Sequence, residues 1–376
     1  MDPLALTQHL VAIDSVNPSL VPGAAGEGAI ADWLAAYLRR VGFDVEVQDV
    51  APGRPNVVAV ADGASPGPTR MLCGHTDTVG VDGMTAPFSP TLRDGRLYGR
   101  GAQDMKGGLA AMVAAATRWL HGPRTGAGRV IVAAVADEEY ASLGAEVLAR
   151  RWAADEAVIP EPTGMAVAIT HKGFSCVDVV THGRAAHGSR PADGIDAVLL
   201  MGRVLARLES LDRDLQSRPP HPRLGTGSLH AGRIVGGTEL SVYPARCSLQ
   251  VERRTVPGEP LDIALSEVGA ILDQLGRSDP TFRADVTLLL ARPAYGIDAD
   301  HPLPVALRRL AAASGREAPT TGMSFWTDAA LLGAAGIPTV LFGPRGAGLH
   351  GLDEHVVVDD LDLCADVFTR WLSTEG

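Results

Sequence analysis

Five separated segments of this chain each carry side chains of the kind that bind divalent cations. They are His75 and Asp77 in LCGHTDTVG, Asp104 in GRGAQDMKGG, Glu138 and Glu139 in AVADEEYASLGA, Glu161 in VIPEPTG, and His350 in GAGLHGLDEH. Two histidines and three carboxylates, with one glutamate to spare, form the donor set that two divalent metals and a hydrolytic water require. Each segment alone has a plainer reading. Residues i and i+2 of an extended chain face the same way, so Asp77 can reach the far nitrogen of His75 and fix its tautomer. Taken singly, the pair is a polar loop after a strand. Asp104 precedes a helix predicted to begin at Met105, where aspartate is also a good N-cap. The two uses are compatible, because a carboxylate has two oxygens. Asp137, Glu138 and Glu139 crowd the end of an apolar strand, and three carboxylates there repel one another unless a cation is near. Adjacent residues point different ways, so one glutamate can bind metal while the other faces substrate. Glu161 follows another strand, held between Pro160 and Pro162. His187, in THGRAAHGSRP, reads as an exposed or capping histidine unless its own domain folds over the site.

These side chains need a scaffold that brings strand ends together. Residues 27–41 have the apolar spacing of an amphipathic helix, stopped by Gly42. Residues 43–47, 56–60 and 71–74 read as strands, 105–120 as a small-residue helix, and 129–136 as a buried central strand. A helix at 144–151 and a short strand at 156–159 follow. This alternation predicts an α/β fold with a mainly parallel sheet, and ligands bind at the carboxyl ends of such strands. The pattern then changes. A half-exposed strand at 174–181, a helix at 194–211, strands at 227–235 and 239–253, a helix at 261–275 and a strand at 281–290 give the order β-α-β-β-α-β, which matches a ferredoxin-like unit. Helices at 302–313 and 328–335, a strand at 339–342 and a closing helix to 372 restore the α/β pattern. The predicted organisation is a catalytic domain at 1–173 and 292–376, with an inserted α+β domain at 174–291.

With 376 residues the chain is long for a single core. Its net charge of -11 gives no electrostatic pull on nucleic acid or an anionic membrane, so neither is an expected partner. The four cysteines share no CxxC spacing and read as buried reduced thiols. No signal-peptide pattern and no apolar run of transmembrane length is visible, and a cytoplasmic setting is the expectation.

The order of these motifs resembles that of a di-zinc metallohydrolase family, the one comprising aminoacylase, acetylornithine deacetylase, succinyl-diaminopimelate desuccinylase and carboxypeptidase G. The likeness runs from SVNPS near the start to LHGLDEHV near the end. It implies that His75 and Glu161 bind one metal, Glu139 and His350 the other, and that Asp104 bridges them, with Asp77 orienting His75. It implies Glu138 as general base towards a water between the metals. It implies that His187, from a lid and dimerisation domain, polarises the substrate carbonyl, often across a homodimer. Arg254, or the adjacent Arg253, would bind the substrate carboxylate. Ser241, where an asparagine often stands, and Thr327, in TGMSFWTDAALL, would lie near substrate. Arg345 occupies a loop usually richer in glycine.

The expected activity is metal-dependent hydrolysis of the amide of an N-acyl-amino acid, of the acetylornithine deacetylase kind. The same machinery would serve a carboxypeptidase or dipeptidase of the glutamate carboxypeptidase type. From another class, a catalytically silent binding protein would lack the intact base and ligand set that this chain has. A NAD- or nucleotide-binding α/β protein is a weaker third reading, because the glycines of GRGAQDMKGG are not in a GxGxxG arrangement after a strand. The expected cofactors are two divalent ions, Zn2+ first, with Co2+ or Mn2+ as alternatives.

Overall fold

A computed structural model describes residues 2–375 of the chain. The chain forms two compact units. One comprises Met1–Ile169, Ile297–Thr321 and Thr327–Gly376; the other comprises Thr170–Gly296 and Gly322–Trp326.

The first unit is built on a mixed sheet. Its strands lie in the order Asp44–Ala51, Arg54–Asp62, Arg129–Val135, Thr69–His75, Glu156–Ile159, Thr339–Leu341 and Val167–His171. The centre of the sheet, from Arg129–Val135 to Thr339–Leu341, is parallel, and the strands flanking it are antiparallel. Six of the seven residues of Arg129–Val135 are buried, and likewise of Thr69–His75, as strands covered on both faces require. Helix Gly107–His121 packs among Leu6, Leu10, Phe368 and Trp371 from the N-terminal and C-terminal helices. Its alanines and glycines allow close approach to the sheet. A Cβ on Gly108 would meet the carbonyl oxygen of Pro160 at 2.0 Å, so this helix abuts the turn that carries Glu161. His75, Glu138 and Glu161 all sit at or just past the carboxyl ends of parallel strands.

Several elements escape sequence patterning. Helix Pro3–Val11 begins with Asp2, whose side chain accepts from the Ala5 amide at 2.7 Å, and with Pro3 at its first position. A small sheet joins Gly346–Ala347, His355–Val357, Arg96–Tyr98 and Thr91–Arg93 in that order. Its strands are two or three residues long, too short to show any period, yet they bring the chain after His350 beside the chain before Asp104. Among the described residues no helix is long and apolar enough to cross a membrane.

The second unit has a four-stranded antiparallel sheet, ordered Ser228–Gly236, Arg246–Thr255, Gly173–His182 and Ala284–Arg292. Helices Ala197–Ser217 and Ile263–Ser278 cover it, with Met201, Val204, Leu249 and Val268 in the shared core. Gly173–His182 alternates buried and half-buried residues along its length. Two of the boundaries that differ from the sequence expectation have a visible local cause. The third strand begins at Arg246 rather than at 239, because 239–245 turns towards the segment after the first strand: the Tyr243 amide donates to the Ala186 carbonyl, and Pro244 has no amide to continue a ladder. The helix starts at Ala197 rather than at 194, where the Asp196 side chain accepts from the amides of Val198 and Leu199.

Candidate metal centre

His75 is the last residue of its strand and is buried. Its Nδ1 lies 2.9 Å from the Asp77 carbonyl, which can only accept, so Nδ1 carries the proton. Nε2 then faces Asp104 Oδ1 at 3.0 Å and Glu161 Oε1 at 3.9 Å. The contact that orients His75 is therefore made by the backbone of Asp77; the carboxylate Oδ1 is 3.6 Å from Nδ1. That carboxylate has another task. It accepts from the Glu138 amide (3.1 Å), the Glu139 amide (3.1 Å) and Asn17 Nδ2 (2.7 Å). Asp77 thus pins the backbone of the Glu138–Glu139 loop.

Asp104 does not cap the helix. It sits in a tight turn at Ala102–Lys106 with extended dihedrals (φ -120°, ψ 93°), and the regular helix starts at Gly107. Its carboxylate stands between two imidazoles: Oδ1 faces His75 Nε2, and Oδ2 lies 3.4 Å from His350 Nε2. His350 Nε2 is also 3.3 Å from Glu139 Oε2. Glu139 Oε1 is buried with no hydrogen-bond partner. Donor atoms of His75, Asp104 and Glu139 lie within 4.8 Å of one another, as do those of His75, Glu138 and Glu161.

Asp137 proves not to belong to this cluster. Arg54 Nη1 donates to its Oδ1 at 2.6 Å, and the same guanidinium pairs with the buried Glu27. Asn17 Nδ2 joins the two groups, donating to Asp137 Oδ1 at 3.0 Å as well as to Asp77. For one of the three carboxylates at this strand end, the nearby cation is the Arg54 guanidinium. Asn17, Glu27 and Arg54 were given no role from sequence. Arg54 sits beside Gly53 and Pro55 and looks like a surface turn, and nothing local points to its partners.

The electrostatics of the pocket follow from burial among like charges. Burial raises the pKa of Glu138 well above the usual range, as do the fields of Glu161, Asp328 and Glu139, against the pull of His75. Burial and the charge of Asp104 do the same to Glu161, and push Glu139 up to about 7. For His75 burial opposes protonation, but the hydrogen bond to Asp104 and the fields of Glu138 and Glu161 outweigh it and raise its pKa well above the ordinary value. Hydrogen bonds to Asp104 and Glu139 lift His350 to about 10. Burial would raise Asp104, yet the two histidines hold it well below the carboxylate range. Four carboxylates meet two imidazoles here, so with every carboxylate ionised even two protonated rings would leave the pocket negative. The donor types, their mutual distances and the unpartnered Glu139 oxygen fit a pair of divalent cations.

Of the remaining candidates, Thr327 is fully buried and its hydroxyl accepts from the Ala329 amide, so it starts a short helix. Arg345 braces the last helix, donating to Asp360 at 2.6 and 2.8 Å. In the second unit, His187 and Ser241 lie together. His187 bridges to Val242, and the Gly188 amide donates to the Ser241 carbonyl at 2.7 Å. Both are exposed. The Ser189 amide donates to His187 Nδ1, which leaves the proton on Nε2. The two neighbouring arginines separate clearly. Arg253 is buried and bound to Glu259 and Glu267. Arg254 is one-third exposed, pairs with Glu252 and lies over the Phe174 ring.

The sequence profile of peptidase family M20/M25/M40 matches residues 71–374. Acetylornithine deacetylase of Myxococcus xanthus is 33% identical over 357 residues, covering 90% of each chain. Acetylornithine deacetylase of Vibrio atlanticus is 30% identical over 376 residues, covering 98% of this chain and 97% of that one. Among solved structures, an M20 family metallo-carboxypeptidase of Sulfolobus solfataricus superposes with a TM-score of 0.81 at 17% identity, covering 99% of both chains; at that identity the likeness is one of fold.

The Arg54 network gives a direct test. Arg54→Met would leave Glu27 and Asp137 buried without their cation, and unfolding in denaturant is expected to show a loss of about 3–5 kcal/mol. A loss below about 1 kcal/mol would mean that the two carboxylates find other partners or take up protons at little cost.

Proposed function

This chain belongs to peptidase family M20/M25/M40 and is a hydrolase of amide bonds, and we propose that it removes the acyl group from an N-acyl-amino acid with the help of two divalent ions. The observation that carries this reading is the Asp104 carboxylate standing between His75 and His350 in a pocket of buried acids. His75 and Glu161 would hold one ion and Glu139 and His350 the other, with Asp104 shared. Zn2+ is the first choice, and Co2+ or Mn2+ suits the same donors. When bound, such a pair supplies Lewis acidity that polarises the amide carbonyl and acidifies water.

The chain's own residues supply the rest. Asp77 holds the amides of Glu138 and Glu139, which keeps the two carboxylates from wandering. Glu138 is the general base: its carboxylate takes a proton from the attacking water and returns it to the departing amine. His187, with Nε2 protonated, is a donor suited to a carbonyl oxygen as it gains negative charge. Arg254, partly exposed and paired with one glutamate, is the better suited to a substrate carboxylate, since Arg253 is buried and committed to two glutamates. A homodimer through the second unit is also proposed. Its edge strand Ser228–Gly236 exposes Ile234 and Val235, and Leu199 and Leu240 are exposed in the same unit. An edge with unpaired backbone groups and apolar side chains is a template for pairing with another chain.

The metal-reconstituted protein, assayed on N-acetylated amino acids and on dipeptides, is expected to release amine from the acetylated series. Cleavage of dipeptides alone would replace the deacylase reading with a peptidase one, and no cleavage of either would favour a silent binding protein. Glu138→Ala should keep two equivalents of metal and lose turnover by about 10²–10⁴-fold; loss of an equivalent would make Glu138 a ligand. His187→Ala should lower turnover at unchanged metal content. Sedimentation analysis should find a dimer that charged substitutions at Ile234 and Leu240 dissociate, and a wild-type monomer would remove the dimer from this account.

A further inference from the structure

Glu354 received no role from its sequence context, yet it is 1% exposed and surrounded by donors. Its Oε2 accepts from Arg100 Nη1 at 2.6 Å and from the Gly101 amide at 2.9 Å. Its Oε1 accepts from the amides of Gln103 (2.9 Å) and Asp104 (3.0 Å). Its own carbonyl accepts from the Gly99 amide at 3.1 Å. The chain from Gly99 to Asp104 is therefore held by one residue, with the Gly101, Gln103 and Asp104 amides on its side chain. That side chain stands four residues after His350, on a segment anchored by the pairing of His355 with Tyr98. Arg100 closes the loop from the other side, with Nη2 donating to the Gly351 carbonyl and Nε to that of Gly80.

We propose that Glu354 is the positioning residue of the metal centre: it sets the Asp104 carboxylate and the His350 ring at the spacing that one ion needs. This rests on the assignment of Asp104, Glu139 and His350 as ligands made above. Two features separate the role from that of a ligand or of an ordinary buried ion pair. A carboxylate offers about four acceptor directions, and all are used here by donors, so Glu354 has none left for a metal. Its partners are the backbone of one proposed ligand and, through Arg100, the backbone beside another. Partners of this kind, which hold metal ligands in place, tune affinity without touching the ion. The site also discriminates between glutamate and glutamine. Glutamine would turn an NH2 group towards two donors, so a substitution close to isosteric breaks half of the contacts.

The test uses full-length metal-free protein titrated with Co2+ by visible absorption and with Zn2+ by calorimetry. Wild type is expected to take up two equivalents, one of which His350→Ala removes. In E354Q that same equivalent should bind about 10–100-fold more weakly, while the other, which shares Asp104 but not His350, should weaken by less. R100K, which loses the bond to Gly351 but leaves the three amides on Glu354, should shift the same equivalent by less. It carries the test alone if E354Q fails to fold. Unchanged binding of both equivalents in these variants would overturn the proposal, and so would equal weakening of both, which marks general loosening. A wild-type protein that takes up fewer than two equivalents would overturn the two-ion reading itself, and this inference with it.

Discussion

Four carboxylates converge on one partly buried pocket, and like charges at such distances demand positive charge among them. Everything around the pocket answers that demand or resists its consequences. His75 and His350 both turn towards the same aspartate. Asp104 is held ionised by those two rings, while Glu138, Glu139 and Glu161 are pushed towards their neutral forms by burial and by one another. A pocket in that state is poised to take up cations and give up protons, which is the general coupling between metal binding and pKa.

Holding acids together against their repulsion requires a rigid frame, and two guanidinium groups provide it. Arg54 lies between Glu27 and Asp137, which through Asn17 is tied to Asp77 and so to the amides of Glu138 and Glu139. Arg100 lies against Glu354, which carries the amides leading into Asp104. One frame serves the loop after a central strand; the other joins two loops 254 residues apart in the chain. In both, a buried charge is matched by a buried charge and by backbone donors, the arrangement in which a desolvated pair is tolerated. The strands contribute position, and these ion pairs contribute orientation.

Most of the candidate metal-centre side chains stand out in the sequence because they follow strands whose apolar runs are unmistakable, while Asp104 stands out before a helix. RVIVAAV ends in acids, and so does the AVI strand before Glu161. Such ends, in an α/β fold, are where ligands bind. The inserted unit was legible from its change of pattern, though the segment 239–245 was not, since its alternation continued past the point where Pro244 breaks the ladder. The supporting residues were illegible for a different reason. Arg54 and Asp137 are 83 residues apart, and Arg100 and Glu354 are 254 apart. A lone arginine beside a proline, or a glutamate in a polar loop, carries no mark of a partner at that distance.

The sequence by itself determined the donor inventory, the family and the alternation of helix and strand, because these depend on side-chain type and on local periodicity. Tertiary structure alone decided which atoms do the orienting: that a carbonyl and not a carboxylate holds His75, that Asp137 is spent on Arg54, that Arg253 is buried while Arg254 is open, and that Thr327 is closed off. Those outcomes turn on fractions of an ångström and on burial. Both arise only when segments distant along the chain pack together, and neither leaves a trace in the residue order that specifies them.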